Sequence, residues 1–565
     1  MNRSVRFFLV PLMAGLALAC ASTPGGPPAP PAAPGSAPAA APAPATRPAE
    51  QPQKGGIFQF AANNPPVSLN WYKRGSIFEY ITLGPVFQNT LSTKGWDTAG
   101  FEWEIDNQAA PWLAESWTQE GPTSYLFKLR QGVKWHDGEE FTADDIVFTY
   151  NWVREPQNAF PNSSRIRQMD RVEKLDQYSV RITTKVAFAE FLEQLAGLEM
   201  RVLPKHVFDK GIDFAKLEGV VGTGPFKLKS YDDKAKAILV PNNDYWEKGR
   251  PYVDEIRIFY GLDSSAVQAG LAARELDVFN FSDERQFEAL RRSIPDLQFG
   301  TNPGPYSFGL FLQMDKPPLN DLRVRRAIHL AIDRHGMLKS LTGGKGIINP
   351  PPPIPGKKVG WGISQEELFK LPGFNPATRE QDLAEARRLL GEAGYASGLK
   401  LGLMADAGQR TTALTTEPIA GMLKAVGIDT ELQSLESGIF QTRRKDREFD
   451  LQNDSRAATM LPDAPLWERF HSTGVLNKYG INDTKLDSLI DAQTRELDVA
   501  KRKALLRQIQ DHIMQNVYFV PTIDLAFFEV WQSYVKGYVF NIGAQPHLLD
   551  AGQMWLDQAK MPKRQ

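Results

Sequence analysis

The chain has 565 residues, 42% of them hydrophobic and 23% charged, with a formal net charge of -1. That length predicts more than one lobe, because single cores stop growing at about 250 to 300 residues. The near-neutral balance, without long basic runs, excludes nucleic acid as a partner, and beyond the N-terminus no stretch approaches the roughly 18 apolar residues of a membrane span.

The first element is Met1 to Ala19: a basic start at Arg3 and Arg6, an apolar run from Phe7 to Leu18, then a small residue and Cys20. It reads as a signal peptide, too short to span a bilayer as a mature helix. Cys20 is the only cysteine of the chain, so it has no intramolecular disulfide partner. The run Leu16-Ala17-Leu18-Ala19-Cys20 resembles a bacterial lipobox, which implies cleavage before the cysteine and a diacylglyceryl group on its thiol. It departs from that pattern in carrying Ala17, with Leu16 one position further back, where the pattern prefers Leu three residues before the cysteine. An ordinary secretory signal with an incidental cysteine is the alternative. Residues 20–54 form the lipidated cysteine and a tether built mainly from Pro, Ala, Gly, Ser and Thr, with nothing to make a core. Polyproline conformation at roughly 3 Å per residue gives the tether a reach on the order of 100 Å.

Strand and helix patterns then alternate without a fixed repeat, which is a mixed α/β signature. Tyr125 to Arg130 and Ile256 to Phe259 read as strands. Thr142 followed by Asp144 and Asp145 reads as a helix start, carrying Ile146, Val147 and Tyr150. Val324, Ala327, Ile328, Ala331 and Ile332 make one buried helix face. The run Asn349-Pro350-Pro351-Pro352-Pro353-Ile354-Pro355-Gly356 reads as an extended loop, since no helix or central strand tolerates so many prolines. Asn375-Pro376 caps and opens a helix that carries Leu383, Ala386, Leu389, Leu390 and Ala393 inward and ends at Gly394, and the helical pattern runs again from Leu486 to Val517.

Two short runs invite a catalytic reading and do not support it. Gly222-Thr223-Gly224-Pro225 lacks the third glycine and the Lys-Ser/Thr of a phosphate loop, so it reads as a tight turn. His136-Asp137-Gly138 reads as a turn rather than a catalytic pair. His329 and His335 lie six apart on a predicted helix, on different faces. No HExxH pair or GxSxG elbow occurs, so neither enzyme activity nor a metal or cofactor is expected.

Several ordered blocks together resemble the extracytoplasmic solute-binding proteins of ABC importers, family 5, whose members bind peptides, nickel or oligosaccharides. They are PWLAESWTQEGPTSYLFKLRQGVKWHDGEEFTADDIVFTYNWV (111–153), GTGPFKL (222–228), NNDYWEKGRPYVDEIRI (242–258), NDLRVRRAIHLAIDR (320–334), FNPATREQDLAEARRLLGEAGY (374–395), AVGIDTEL (425–432) and EFDL (448–451). The resemblance implies an α/β, two-lobed periplasmic-binding-protein-like fold with an extra subdomain and a ligand cleft between the lobes. It maps lobe I to 55–90, 222–302 and 530–562, the subdomain to 91–221, and lobe II to 305–528. Asn302-Pro303-Gly304-Pro305 and Ile523 to Val530 would be the crossings between lobes.

The implied function is capture of a small solute, a peptide or alternatively an oligosaccharide or another polar solute, for an ABC permease and its ATPase. The protein would be a monomer outside the cytoplasm, in the periplasm or at the cell surface, held to the membrane by lipid on Cys20. A sensor lipoprotein and a tethered hydrolase are the competing classes. Peptide binders of this family typically hold the ligand amine with an Asp four residues before a proline; aligned on Pro465, that position is Leu461, with Asp454 and Asp463 as substitutes or as ordinary loop and cap carboxylates. Asn453, Asp454 and Arg456 are candidate contacts because strand ends face the crevice of an open α/β sheet. Trp71, Tyr72, Gln88 and Asn89 from lobe I, and Gln313 after the crossing, complete the expected set.

Overall fold

The computed structural model describes residues 51–74, 77–93, 108–197, 199–281, 284–302, 306–352, 361–457, 461–538 and 551–564. The signal segment, Cys20 and all but the end of the tether therefore lie outside the described residues, as do 303–305 of the first crossing and 353–356 of the proline run. Pro52–Gln565 forms one compact unit.

Local chemistry sets many of the elements. Thr142 caps the helix Ala143–Arg154: its hydroxyl accepts from the Asp144 amide at 3.3 Å while Asp145 Oδ2 accepts from the Thr142 amide at 3.0 Å. The helix buries Ile146, Tyr150 and Val153 on one face. The expected strands occur as Ser124–Leu129 and Glu255–Tyr260. Asn375 caps a short turn, Pro376–Thr378, which leads into the helix Arg379–Glu392.

Two long helical readings are each divided by an aspartate. The helix Leu322–Ala331 stops before Asp333, whose carboxylate accepts from the Gly336 amide at 2.8 Å and opens a second helix, Arg334–Thr342. His329 and His335 thus belong to separate helices, a correction to the single helix read from the sequence. Likewise the pattern from Leu486 to Val517 forms Thr484–Arg495 and Val499–Asn516, the second capped by Asp498. In both places the carboxylate satisfies amides that a helix start leaves without partners.

Three larger sheets organise the body. The seven-stranded sheet has the order 298–302, 527–531, 278–281, 57–62, 255–260, 236–241, 226–231. The five-stranded sheet has the order 428–435, 399–406, 451–457, 306–312, 520–521, and the four-stranded sheet 114–119, 124–129, 179–184, 169–176. Phe58 and Phe60 enter one core cluster, which also holds Phe127 and Ile182 of the four-stranded sheet. Ala61, pointing to the other face as strand alternation requires, joins Val267, Phe281 and Phe528 in a smaller cluster. The five-stranded sheet has its own core, with Leu310, Leu403 and Leu451 packed among Ile328, Ile419 and Ile509. Separate cores on the two sides of the crossings make the molecule two-lobed.

Gly222-Thr223-Gly224 leads into a bend before the strand 226–231, and it is also a close contact between backbones. A Cβ on Gly222 would lie 1.9 Å from the Val86 carbonyl oxygen, and one on Gly224 2.3 Å from that of Pro85. The Gly224 amide donates to the Val86 carbonyl at 2.8 Å, and the Gly222 carbonyl accepts from the His136 amide at 2.9 Å. This joint fastens the 133–141 segment to the segment carrying Val86.

Candidate ligand cleft

Strand direction locates the cleft. In the seven-stranded sheet, 57–62 is parallel to both 255–260 and 278–281, so Ala62, Tyr260 and Phe281 end at one edge. The strand 527–531 runs the opposite way, with Phe528 opposite Phe281 and Phe527 opposite Asn302. That edge is where the chain leaves and re-enters this lobe. In the five-stranded sheet, 399–406 is parallel to 451–457, and Tyr306 lies opposite Ala457. Both lobes therefore direct the carboxyl ends of parallel strands toward the crossings, the position of the crevice in open α/β sheets.

Asn453 and Asp454 sit near that edge as anchors within the sheet and its neighbouring helices. Asn453 is fully buried and its Nδ2 donates to the hydroxyls of Thr415 and Thr416 at 2.9 and 2.8 Å, tying the strand to the helix Arg410–Lys424. Asp454 is also buried; its Oδ2 accepts from Gln452 Nε2 at 2.6 Å and pairs with Arg444 at 3.3 Å. Asp406, at the end of the adjacent strand, accepts from the Ser437 hydroxyl at 2.7 Å and the Gly408 amide at 2.9 Å. Arg456 lies on the strand Leu451–Ala457, one residue from its crevice end; its side chain lies outside what is described. Gln313 follows the other end of 306–312, roughly 20 Å along the strand from Tyr306, and its Nε2 donates to Asp315 at 2.8 Å. The structure does not bring it to the crevice.

Of the lobe I candidates, Tyr72 and Asn89 reach residues of the subdomain, while Trp71 and Gln88 make their side-chain contacts within lobe I. Trp71 and Tyr72 are 2% and 1% exposed, with ring centroids 4.0 Å apart, and Tyr72 meets Trp152 and Phe214 edge-on. Burial raises the Tyr72 phenol well above its ordinary range. Gln88 donates to the Tyr245 hydroxyl at 3.1 Å and accepts from the Trp246 indole at 3.1 Å. Asn89 donates to the carbonyls of Ala196 and Gly197 at 2.9 and 2.7 Å.

A group of charged side chains, of which sequence reasoning singles out only Asp463, bridges the subdomain and lobe II. Arg167 grips Asp463 with two contacts, Nη1 to Oδ2 at 2.5 Å and Nη2 to Oδ1 at 3.1 Å. Beside it Arg502 pairs with Glu190, and the Asp463 amide donates to Glu190 at 3.1 Å. Burial holds Glu190 above the usual carboxylate range. Burial also pushes Asp463 upward, but Arg167 and the Thr494 hydroxyl outweigh it and leave Asp463 below that range. Asp463 is thus the first residue of the helix Asp463–Phe470 and an ion-pair partner. These residues are distant in sequence, Arg167 from Asp463 by 296 positions, and no local pattern announces the pairing. Among the described residues, no group of three His, Cys, Asp or Glu could hold a metal ion, and no helix is long and apolar enough to cross a membrane.

A family model described as bacterial extracellular solute-binding proteins, family 5 Middle, matches residues 108–477. A dipeptide-binding protein of Pseudomonas aeruginosa is 25% identical over 516 residues, covering 82% of this chain and 94% of the relative. The structure of DppA from Helicobacter pylori in complex with the peptide STSA superposes with a TM-score of 0.73 at 23% identity, covering 90% of this chain and 99% of that one. The structure of AgaA with agropinic acid from A. tumefaciens R10 gives a TM-score of 0.74 at 20% identity, covering 90% and 100%. At these identities the two structures speak for the fold, which they share over nearly the whole described body. The family match spans well over half of the chain, and the chain belongs to the bacterial extracellular solute-binding proteins, family 5.

Proposed function

We propose that this solute-binding protein captures a peptide between its lobes and delivers it to an ABC permease and its ATPase, while lipid on Cys20 holds it at a bacterial membrane. The observation that carries the reading is the convergence of strand carboxyl ends from both lobes on one crevice beside the crossings. The name of the Pseudomonas aeruginosa relative supports a peptide as the solute. In this reading Arg456 contacts the ligand, and Asn453 and Asp454 hold the floor beneath it. Tyr72 and Asn89 keep lobe I and the subdomain in register, and Trp71 and Gln88 brace lobe I itself. Native mass spectrometry of freshly purified protein tests the proposal: a retained peptide mass supports it, and a retained solute of another class overturns the peptide assignment.

One observation favours a ligand without a free amine. Aligned on Pro465, as the family resemblance implies, Leu461 stands where peptide binders carry the amine-binding carboxylate, while Asp406, Asp454 and Asp463 are each engaged by neighbours. An ammonium enclosed without a carboxylate bears a desolvation cost of several kcal/mol, by order of magnitude. N-blocked peptides and oligosaccharides avoid it.

A further inference from the structure

Arg167, Glu190, Asp463 and Arg502 form a reciprocal arrangement. The subdomain contributes one cation and one anion, Arg167 and Glu190, and lobe II contributes the opposite pair, Arg502 and Asp463. Asp463 and Glu190 are almost completely buried, as is Arg502. Each of three charges also has a neutral hydrogen-bonding partner on its own side. Gln194 Nε2 donates to Glu190 at 3.0 Å, Gln493 Nε2 donates to Asp463 at 2.8 Å, and Arg502 donates to Gln493 Oε1 at 2.9 Å. A backbone bond, Ala189 amide to Thr494 carbonyl at 2.9 Å, crosses the same interface.

We propose that these four side chains are a latch between the subdomain and lobe II, made when the lobes close and broken when they open. It rests on the reading that the lobes close around a solute, and adds that closure has an ionic element away from the ligand. When the lobes part, the amides of Gln194 and Gln493 keep Glu190, Asp463 and Arg502 in place while water replaces the partners across the gap. When the lobes meet, both ion pairs form without net charge. Removing one member leaves its partner buried and uncompensated in the closed form, so the open form gains.

Hydrogen exchange of the full-length protein as purified, with whatever solute it retains, read by mass spectrometry, tests this in the form that holds both ion pairs and independently of the solute's identity. In Arg502→Gln and in Arg167→Gln, the segments carrying the Ala189 and Asp463 amides should exchange at least about 10-fold faster, while core strands around Ile258 and Leu310 keep their wild-type rates. The double variant Glu190→Gln/Arg502→Gln, with no lone charge left, should recover much of the protection lost in Arg502→Gln. Unchanged exchange at Ala189 and Asp463 would overturn the proposal. So would acceleration that extends equally to the core strands, since the four residues would then belong to the folded core rather than to a contact that opens.

Discussion

Gly222→Ala should be among the most damaging single-methyl additions in this chain. The added Cβ would stand 1.9 Å from the Val86 carbonyl oxygen, where ordinary contact begins beyond 3 Å, so one backbone must move by more than 1 Å. That movement disturbs the Gly224 amide bond to Val86 at 2.8 Å and the His136 amide bond to Gly222 at 2.9 Å. At about 1 kcal/mol for each bond and about 1 to 3 kcal/mol for overpacking, the expected loss is about 3 to 5 kcal/mol. Gly391→Ala is the control. Gly391 lies inside the helix Arg379–Glu392 with nothing within 4 Å of its added Cβ, so alanine should stabilise by up to about 1 kcal/mol. Urea unfolding at fixed pH reads both effects as midpoint shifts of opposite sign. Equal midpoints for Gly222→Ala and wild type would refute the close-packing account.

Arg564→Gln should cost about 3 kcal/mol or more in the same assay, because it removes both guanidinium contacts, 2.6 and 2.7 Å, from the buried Asp277 carboxylate; a loss below about 1 kcal/mol would count against it. His136, pushed by burial down from 6.5 to about 4, binds its proton more weakly folded than unfolded, so stability should fall as pH drops from above 6.5 through 4, by about 3 kcal/mol at most. His136→Asn should flatten that part of the profile, and an unchanged slope would contradict the assignment. Cys20→Ser should release the protein from membranes in cell fractionation, whereas continued tight association would rule out the lipid anchor. In a thermal-shift screen, N-acetylated peptides or neutral oligosaccharides should raise the melting point more than free-amine peptides; stabilisation by free-amine peptides alone would defeat the amine argument.

The elements legible in the sequence are those whose cause lies within a few residues. Thr142 and Asp145 announce a capping box because the two partners are three apart, and Asn375 announces a helix start for the same reason. The alternation around Ile256 and Ile258 is equally local. Where the reading fails, a short-range signal is outweighed by a longer hydrophobic period: Asp333 and Asp498 each cap a new helix inside what looks like one apolar stripe. Gly222 and Gly224 stand out in the sequence, but the reason for them is Val86 and Pro85, more than 130 positions earlier in the chain.

The candidate site is less legible because a polar residue in a strand has two physical explanations. Asn453 suits a ligand contact, and it equally suits a sheet whose covering helix presents hydroxyls. The sequence contains the second explanation in Thr412, Thr415 and Thr416, spaced three and one apart so that they share a helix face. Only the parallel register of Ala405 with Asn453 brings that face over the asparagine, and register depends on pairing across about 50 residues. The four latch residues pose the same problem over a longer distance. Arg167 and Asp463 each look like a surface charge in their own segments, and they become a buried pair only because two lobes with separate cores meet there.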